Sequence, residues 1–238
     1  MNVMSRLLRG DRALAIPVLS LMFASLVCMG FVLVRVGQTG NPRYISLLWN
    51  LFLAWLPLVF AVQARRYDRL STVKLPLLIL FTCLWLLFFP NAPYIFTDLI
   101  HLTTRFFGVY WIDLAMVLTC ALTGLVLGFV SLYLMQEIVA RRYGRWAGWG
   151  FIAVSTALGS FGIFLGRFLR FNSWDVVVSP GRLYQGVGAW TSQFLNYPRT
   201  IGFPLAFAAF LFTAYLMLYA LTQMPRAGMS PMPAEKTA

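Results

Sequence analysis

Charged residues are scarce in this sequence. Only 11% of the 238 residues are Asp, Glu, Lys or Arg, and 60% are hydrophobic. A soluble globular domain carries about a quarter charged residues, so this chain has too little polar surface to cover a water-soluble core. The composition therefore excludes an ordinary soluble protein and indicates an integral membrane protein.

The side chains that usually bind transition metals are also few. The sequence contains three cysteines and one histidine. Cys28, Cys83 and Cys120 lie inside apolar runs and lack the spacing of a metal site. We interpret them as small buried side chains, and they give no information on the redox compartment.

Long apolar runs occupy most of the chain. A membrane-spanning helix needs roughly 20 such residues, and six runs are long enough. We predict an all-α membrane bundle that forms one domain over residues 1–224, with a disordered, cytoplasmic, proline-rich tail at 225–238. The predicted spans lie near residues 13–36, 44–62, 75–96, 111–135, 146–168 and 201–221.

Basic residues are distributed unevenly between the two sides of the predicted bundle. Twelve lie before the first span, in the second and fourth connections and in the tail, whereas seven lie on the other side. The positive-inside rule then places both termini in the cytoplasm, as expected for an inner-membrane protein. Topology and attraction to anionic lipid explain the basic excess, so we expect the lipid bilayer as a partner and no nucleic acid.

The third apolar run contains a predicted helix break. Two prolines lie three residues apart in its segment FFPNAPYIFTDLIHL, residues 88–102. Pro90 and Pro93 have no amide proton and disfavour helical geometry in the preceding residue, so the span should break there and Phe89 and Ala92 should be extended. Counted from Leu75 at ~1.5 Å per residue, the break lies ~22 Å across a core of ~30 Å. Irregular backbone at that depth is tolerated where it is buried in protein or lines a wet cavity.

Polar side chains accompany the break. Asn91 and the Tyr94 hydroxyl could bond to the freed carbonyl groups, and Asn50 on the second span lies at about the same depth. Beyond the break, a new turn would place Asp98 and His101 on one face, at positions i and i+3.

Further charged residues lie at the outer ends of the fourth and fifth spans. Asp113 begins the fourth span, and the fifth ends in GRFLRFNSWD, where Arg167 and Arg170 are predicted to share a helical face and Asp175 follows.

Three interpretations of this outer-face cluster remain open. Asp98, His101 and Asp113, with Asp175 as a further candidate, could hold a divalent cation or act as acid and base, although one histidine with scattered aspartates is a weak metal signal. Arg167 and Arg170 could bind an anionic group such as a lipid phosphate. The charges could also pair with one another and fix the register of the helix ends.

Small residues recur at helical spacing on the fourth and fifth spans. Gly124 and Gly128 lie on the fourth, and Gly159, Gly162 and Gly166 on the fifth. Because small residues let helix backbones approach closely in lipid, we predict that the two spans pack as an antiparallel pair. The same faces could dock another membrane protein.

The connection between the fifth and sixth spans is predicted to contain an amphipathic helix. Leu183, Val187, Trp190 and Phe194 fall on one of its faces. This helix could lie in the outer membrane interface or pack on the bundle, and the sequence does not decide between the two.

At these residues the sequence resembles a known family. The segments LLWNLFLAWLP (47–57), WLLFFPNAPYIFTDLIHL (85–102), WID (111–113) and GIFLGRFLRFNSWD (162–175) are similar to the bacterial membrane proteins of domain-of-unknown-function family 1361. The resemblance implies a bacterial multi-pass inner-membrane protein and brings no established activity. The residues at characteristic family positions are Asn50, Pro90, Asn91, Pro93, Tyr94, Asp98, His101, Asp113, Arg167, Arg170, Asn172, Trp174 and Asp175.

We therefore predict a polar site at the outer interface that recognises or processes a lipid-linked or anionic substrate, by hydrolysis or group transfer if a reaction occurs. A small-solute facilitator or transporter and a non-catalytic scaffold or accessory subunit are the alternatives. The catalytic candidates, and the metal ligands if there is a metal, are Asp98, His101 and Asp113. The predicted substrate contacts are Arg167, Arg170, Asn50, Asn91, Tyr94, Trp174 and Asp175.

Overall fold

A computed structural model of the protein describes the chain over residues 3–40, 42–69, 75–101, 107–196 and 201–223. Its side chains are described for residues 14–40, 42, 44–69, 75–100, 110–192 and 201–223. The predicted tail at 225–238 and the side chains of His101 and Phe194 lie outside these residues.

The described residues fold into helices, without strands. Six segments are long and apolar enough to cross a membrane, so the predicted six-span all-α bundle is confirmed. The segments are Leu14–Thr39, Ile45–Arg69, Leu75–Ile100, Tyr110–Tyr143, Arg145–Phe168 and Gly202–Thr222. The helices are α1 (Val3–Thr39), α2 (Ile45–Arg69), α3 (Leu75–Phe88), α4 (Asn91–Tyr94), α5 (Phe107–Tyr143), α6 (Arg145–Phe168), α7 (Asp175–Val178), α8 (Pro180–Asn196) and α9 (Gly202–Thr222), with 3₁₀ helices at Pro42–Tyr44 and Ile95–His101.

α5 lies at the centre of the bundle. It contacts α1, α2, α4 and α6, and α9 packs against α6. The fully buried Trp85 of α3 donates from its indole nitrogen to the Ser131 hydroxyl of α5 at 3.0 Å. This pair of polar groups inside the bundle is thus satisfied internally, which offsets the cost of burying it in an apolar medium.

The fourth span is longer than the predicted 111–135, because charges from α2 pair with its last turns. Asp68 accepts from Arg141 at 3.1 Å and from Arg142 at 2.6 Å. Arg65 lies 3.0 Å from Glu137. We call the end of the bundle that holds these residues the basic end.

The third span breaks as predicted, after α3 ends at Phe88. Ala92 is not extended, however, so that part of the prediction is wrong. Pro90 keeps helical dihedral angles (φ −58°, ψ −28°), and the Ala92 amide donates to the Phe89 carbonyl at 3.2 Å. The chain therefore changes direction through short helical turns, with α4 followed by the 3₁₀ helix.

The glycines of α5 and α6 accommodate this break segment, residues 89–95. A Cβ atom added at Gly124 of α5 would lie 2.6 Å from the Ala92 carbonyl oxygen, and one added at Gly162 of α6 would lie 2.5 Å from the Pro90 ring. α5 and α6 also contact each other, as predicted. At these glycines, however, the surface that could have docked a separate partner is covered by the chain itself.

α8 packs on the bundle. Leu183, Val187 and Trp190 are half-buried, and the Trp190 ring lies 5.1 Å from that of Phe161 and 5.6 Å from that of Phe164. The packed alternative is therefore confirmed, and a position in the membrane interface stays a prediction.

Candidate functional site

Side chains satisfy backbone carbonyls that the break leaves without helical partners. The Asn91 side-chain amide donates to the Phe88 carbonyl at 3.0 Å and to the Ser173 hydroxyl at 2.8 Å. The Ser173 hydroxyl in turn donates to the Leu87 carbonyl at 3.0 Å. Asn91 thus holds the broken backbone as predicted, and the loop after α6 adds a bond that the sequence did not suggest.

Asp98 and Arg167 form the charged pair beside the break. Arg167 donates to one carboxylate oxygen at 2.9 Å and to the Thr97 carbonyl at 2.8 Å. The Asn50 amide donates to the other carboxylate oxygen at 3.1 Å. The Arg167 guanidinium carbon also lies 5.7 Å from the centre of the Tyr94 ring, within cation–π range. Four predicted site residues therefore converge, and both oxygens of the carboxylate are engaged.

Asp113 belongs to a different ion pair. Arg35 of α1 binds its carboxylate through two nitrogens, and the Tyr44 hydroxyl donates to it at 3.2 Å. Sequence reasoning did not place Arg35 at the site. The matching positions of Arg35 near the end of the first span and Asp113 near the start of the fourth could have identified the pair. We call the end of the bundle that holds these residues, Asp98 and Arg167 the break end.

The predicted metal site depends on a side chain that the structure does not describe. Among the described side chains, no three His, Cys, Asp or Glu residues could hold a metal ion together. The His101 side chain lies outside them. A site formed by Asp98, His101 and Asp113 therefore stays a prediction.

Arg170 does not share a helical face with Arg167, which corrects the sequence interpretation. α6 ends at Phe168, and Arg170 has a left-handed backbone with φ of 57°. This conformation lets the Phe171 amide donate back to the Leu165 carbonyl at 3.1 Å. The Arg170 side chain is exposed.

Asp175 stabilises the turn that follows. Its carboxylate accepts from the Asn172 backbone amide at 2.7 Å, three residues earlier, and it is buried. The carboxylate thus bonds back to a backbone amide in the loop that precedes α7. Trp174 beside it is 38% exposed. The geometry therefore gives Asp175 a role in shaping the loop after α6, whereas substrate contact by either residue stays a prediction.

A cleft of about 180 Å³ lies between α2, the break segment, the end of α6 and the start of α8. The predicted residues Asn50, Asn91 and Tyr94 line it, and Asp98 and Arg167 support this lining by contacting Asn50 and Tyr94. The lining residues that sequence reasoning did not place at the site include Trp49, Phe171, Asn172, Ser173, Val176 and Leu183.

The cleft also has an apolar edge. Trp49 and Val176 line it, and they are 53% and 45% exposed. Trp49 belongs to a spanning segment, where an exposed apolar side chain faces lipid. The cleft therefore combines hydrogen-bonding side chains with exposed apolar ones.

A family model described as "Protein of unknown function (DUF1361)" matches residues 49–217, well over half of the chain. The matched range contains the break, the Asp98–Arg167 pair and every residue that lines the cleft. Comparisons with curated proteins and with solved structures give no match. The family resemblance is thereby confirmed, whereas bacterial origin stays a prediction.

Proposed function

We propose, for a chain that belongs to this family of unknown function, that the cleft at the break end binds the head group of a membrane lipid or lipid-linked molecule. The observation that carries the proposal is the composition of the cleft. Amide and hydroxyl side chains line part of it beside apolar ones, and the exposed Trp49 and Val176 also belong to its lining. A molecule with a polar head and an apolar tail matches both parts.

The helix break supports a binding role. Interrupting a spanning helix leaves backbone groups to be satisfied by other means, and in a membrane this is tolerated where the segment is buried or lines a cavity. Here the break brings Pro90, Asn91 and Tyr94 into the cleft lining. A bundle that needed only mechanical stability would have no use for such an interruption.

The Asp98–Arg167 pair fits a positioning role. Asp98 accepts from both Arg167 and Asn50, and Arg167 lies against the Tyr94 ring, so the pair fixes two side chains of the cleft. A carboxylate with both oxygens engaged is poorly placed to exchange a proton with a ligand. We therefore propose recognition as the activity, and hydrolysis or group transfer would be a further step on the bound molecule.

Retention of lipid by the cleft can be measured by native mass spectrometry of protein extracted with its surrounding lipid. Val176→Trp should fill the edge of the cleft and remove a retained lipid that the wild-type protein keeps. Val177→Trp is the matched control, because Val177 is 78% exposed and does not line the cleft. Equal retention by both variants, or no retained lipid in the wild-type protein, would refute the proposal.

We also propose that the basic end faces the cytoplasm of an inner membrane and that the cleft opens on the outer face. The twelve-to-seven distribution of basic residues supports this orientation. Single cysteines at the exposed positions Gln185 and Arg145 can test it in a chain whose native cysteines are replaced by alanine. A membrane-impermeant maleimide should label Gln185→Cys in intact cells and Arg145→Cys only after permeabilisation, and the reverse pattern would contradict the orientation.

A further inference from the structure

The amide groups of the cleft have a fixed orientation. Asn91 uses its side-chain nitrogen for the Phe88 carbonyl and the Ser173 hydroxyl, and Asn50 uses its nitrogen for the Asp98 carboxylate. Only the nitrogen of an amide can donate to these acceptors. In the part of the chain that the structure describes, neither side-chain carbonyl oxygen accepts a hydrogen bond. The cleft therefore offers acceptors to a ligand at Asn50 and Asn91.

The described lining of the cleft contains no charged side chain, since none of its residues is Asp, Glu, Lys or Arg. Of the ionised groups that contact the lining, Asp98 and Arg167 pair with each other at 2.9 Å, Asp175 accepts from the Asn172 backbone amide, and the Arg182 guanidinium lies 5.8 Å from the centre of the Phe171 ring. An ion inside the cleft would lose hydration without a charged side chain in the lining itself to replace it. A phosphate would in addition bring its oxygens towards the amide carbonyl oxygens, which repel them.

The size of the cleft limits what can enter. Its volume of about 180 Å³ is below the roughly 300–1,000 Å³ of pockets that enclose drug-sized ligands. A single head group fits this space better than an entire lipid, whose chains would remain outside along the apolar edge. At that edge, the Trp49 ring provides an apolar surface on which the C–H face of a sugar ring can pack.

We infer that the ligand of the cleft is a lipid with an uncharged, polyhydroxylated head group, such as a glycosyl group. Its hydroxyl groups would donate to the carbonyl oxygens of Asn50 and Asn91. This inference rests on the proposed function and names the chemistry of the head group. It departs from the anionic substrate that the sequence suggested, because Arg167 is already paired.

Defined lipids can test the inference with the full chain in phosphatidylcholine nanodiscs. The probes are glucosyl-diacylglycerol, its deoxyfluoro analogue that lacks two ring hydroxyl donors, and phosphatidic acid, all with the same acyl chains. Native mass spectrometry should show the glucosyl lipid retained best. The analogue should bind about tenfold more weakly, since it has lost two hydrogen-bond donors. Val176→Trp should remove this preference, and Val177→Trp should leave it unchanged.

The other outcomes separate the inference from the proposed function. Phosphatidic acid retained better than the glucosyl lipid, and lost in Val176→Trp, would overturn the inference while the lipid-binding function stands. If Val176→Trp changed the retention of none of the three probe lipids, both the inference and the lipid-binding function would be overturned. Displacement of the glucosyl lipid by equimolar soluble methyl glucoside would overturn the role of the lipid, because the free sugar would then be the ligand.

Discussion

The Asp98 carboxylate lies 2.9 Å from the Arg167 guanidinium and joins the broken third span to the end of α6. The two side chains are 14% and 15% exposed. Asn91 and Ser173 form a second connection between the same two regions at 2.8 Å. Where the break removes regular backbone hydrogen bonds, side-chain bonds to the next spans thus hold the chain and shape the cleft.

Loss of the Arg167 side chain should destabilise the break end. Arg167→Ala removes donors to Asp98 and to the Thr97 carbonyl. Hydrogen bonds to charged groups contribute about 1.5–3 kcal/mol, so we expect the free energy of unfolding in detergent to fall by about that amount. Denaturant titration followed by tryptophan fluorescence would measure the change.

Arg170→Ala is the control for this variant. It removes the same side chain three residues later, where the arginine is exposed and makes no salt bridge to a described acidic residue. Its effect should stay within about 0.5 kcal/mol. An equal fall in the free energy of unfolding for both variants would contradict a specific stabilising role of the Arg167–Asp98 contact.

A methyl group at Gly124 should strain the contact between α5 and the break segment. The added Cβ would lie 2.6 Å from the Ala92 carbonyl oxygen, which is backbone and cannot rotate away. Overpacking of this kind costs about 1–3 kcal/mol, so Gly124→Ala should lower the unfolding midpoint in detergent. Gly150→Ala on α6 is the control, since nothing lies within 4 Å of its added Cβ. A midpoint for Gly124→Ala at or above that of Gly150→Ala would show that the contact is loose.

The six spans and the break could be predicted because each depends on local properties of the sequence. The apolar runs set the number of spans, and Pro90 and Pro93 interrupt the third. The end of the fourth span at Tyr143 was underestimated, because its polar turns are stabilised by charges of α2. The hydropathy of one segment cannot reveal salt-bridge partners that lie on another helix.

Only part of the site could be predicted, because local sequence properties select candidate residues but not the residues they bind. Asn50, Asn91 and Asp98 could be selected by their depth and type, but their partners come from elsewhere in the chain. Arg35 is 78 residues from Asp113, and Ser173 is 82 residues from Asn91. The error at Arg170 arose because one residue with positive φ ends the helical periodicity on which a shared face depends.

The Arg35–Asp113 pair should behave as a structural connection between α1 and α5. Arg35→Met and Asp113→Leu each leave one partner charged in a largely buried position, at 12% and 18% exposure in the intact pair. Loss of one partner of a buried pair costs about 3–5 kcal/mol, whereas replacing both by apolar residues is often neutral. The double variant should therefore unfold at a higher denaturant concentration than either single variant. A double variant less stable than both would show that the two charges act independently.

The contact of Trp190 with α6 should control how firmly α8 covers the cleft. The Trp190 ring lies 5.1 Å from Phe161 and 5.6 Å from Phe164, and each such aromatic pair contributes about 0.5–1.5 kcal/mol beyond burial. Trp190→Ala should therefore speed amide hydrogen exchange in α8 about tenfold, since 1.4 kcal/mol is a factor of ten. Leu183 of the same helix lines the cleft, so retention of the bound lipid should fall as well.

Tyr184→Ala is the control for this variant, because Tyr184 is 82% exposed on α8 and its loss should change neither measurement. Faster exchange in Trp190→Ala with unchanged lipid retention would mean that α8 is not part of the binding site.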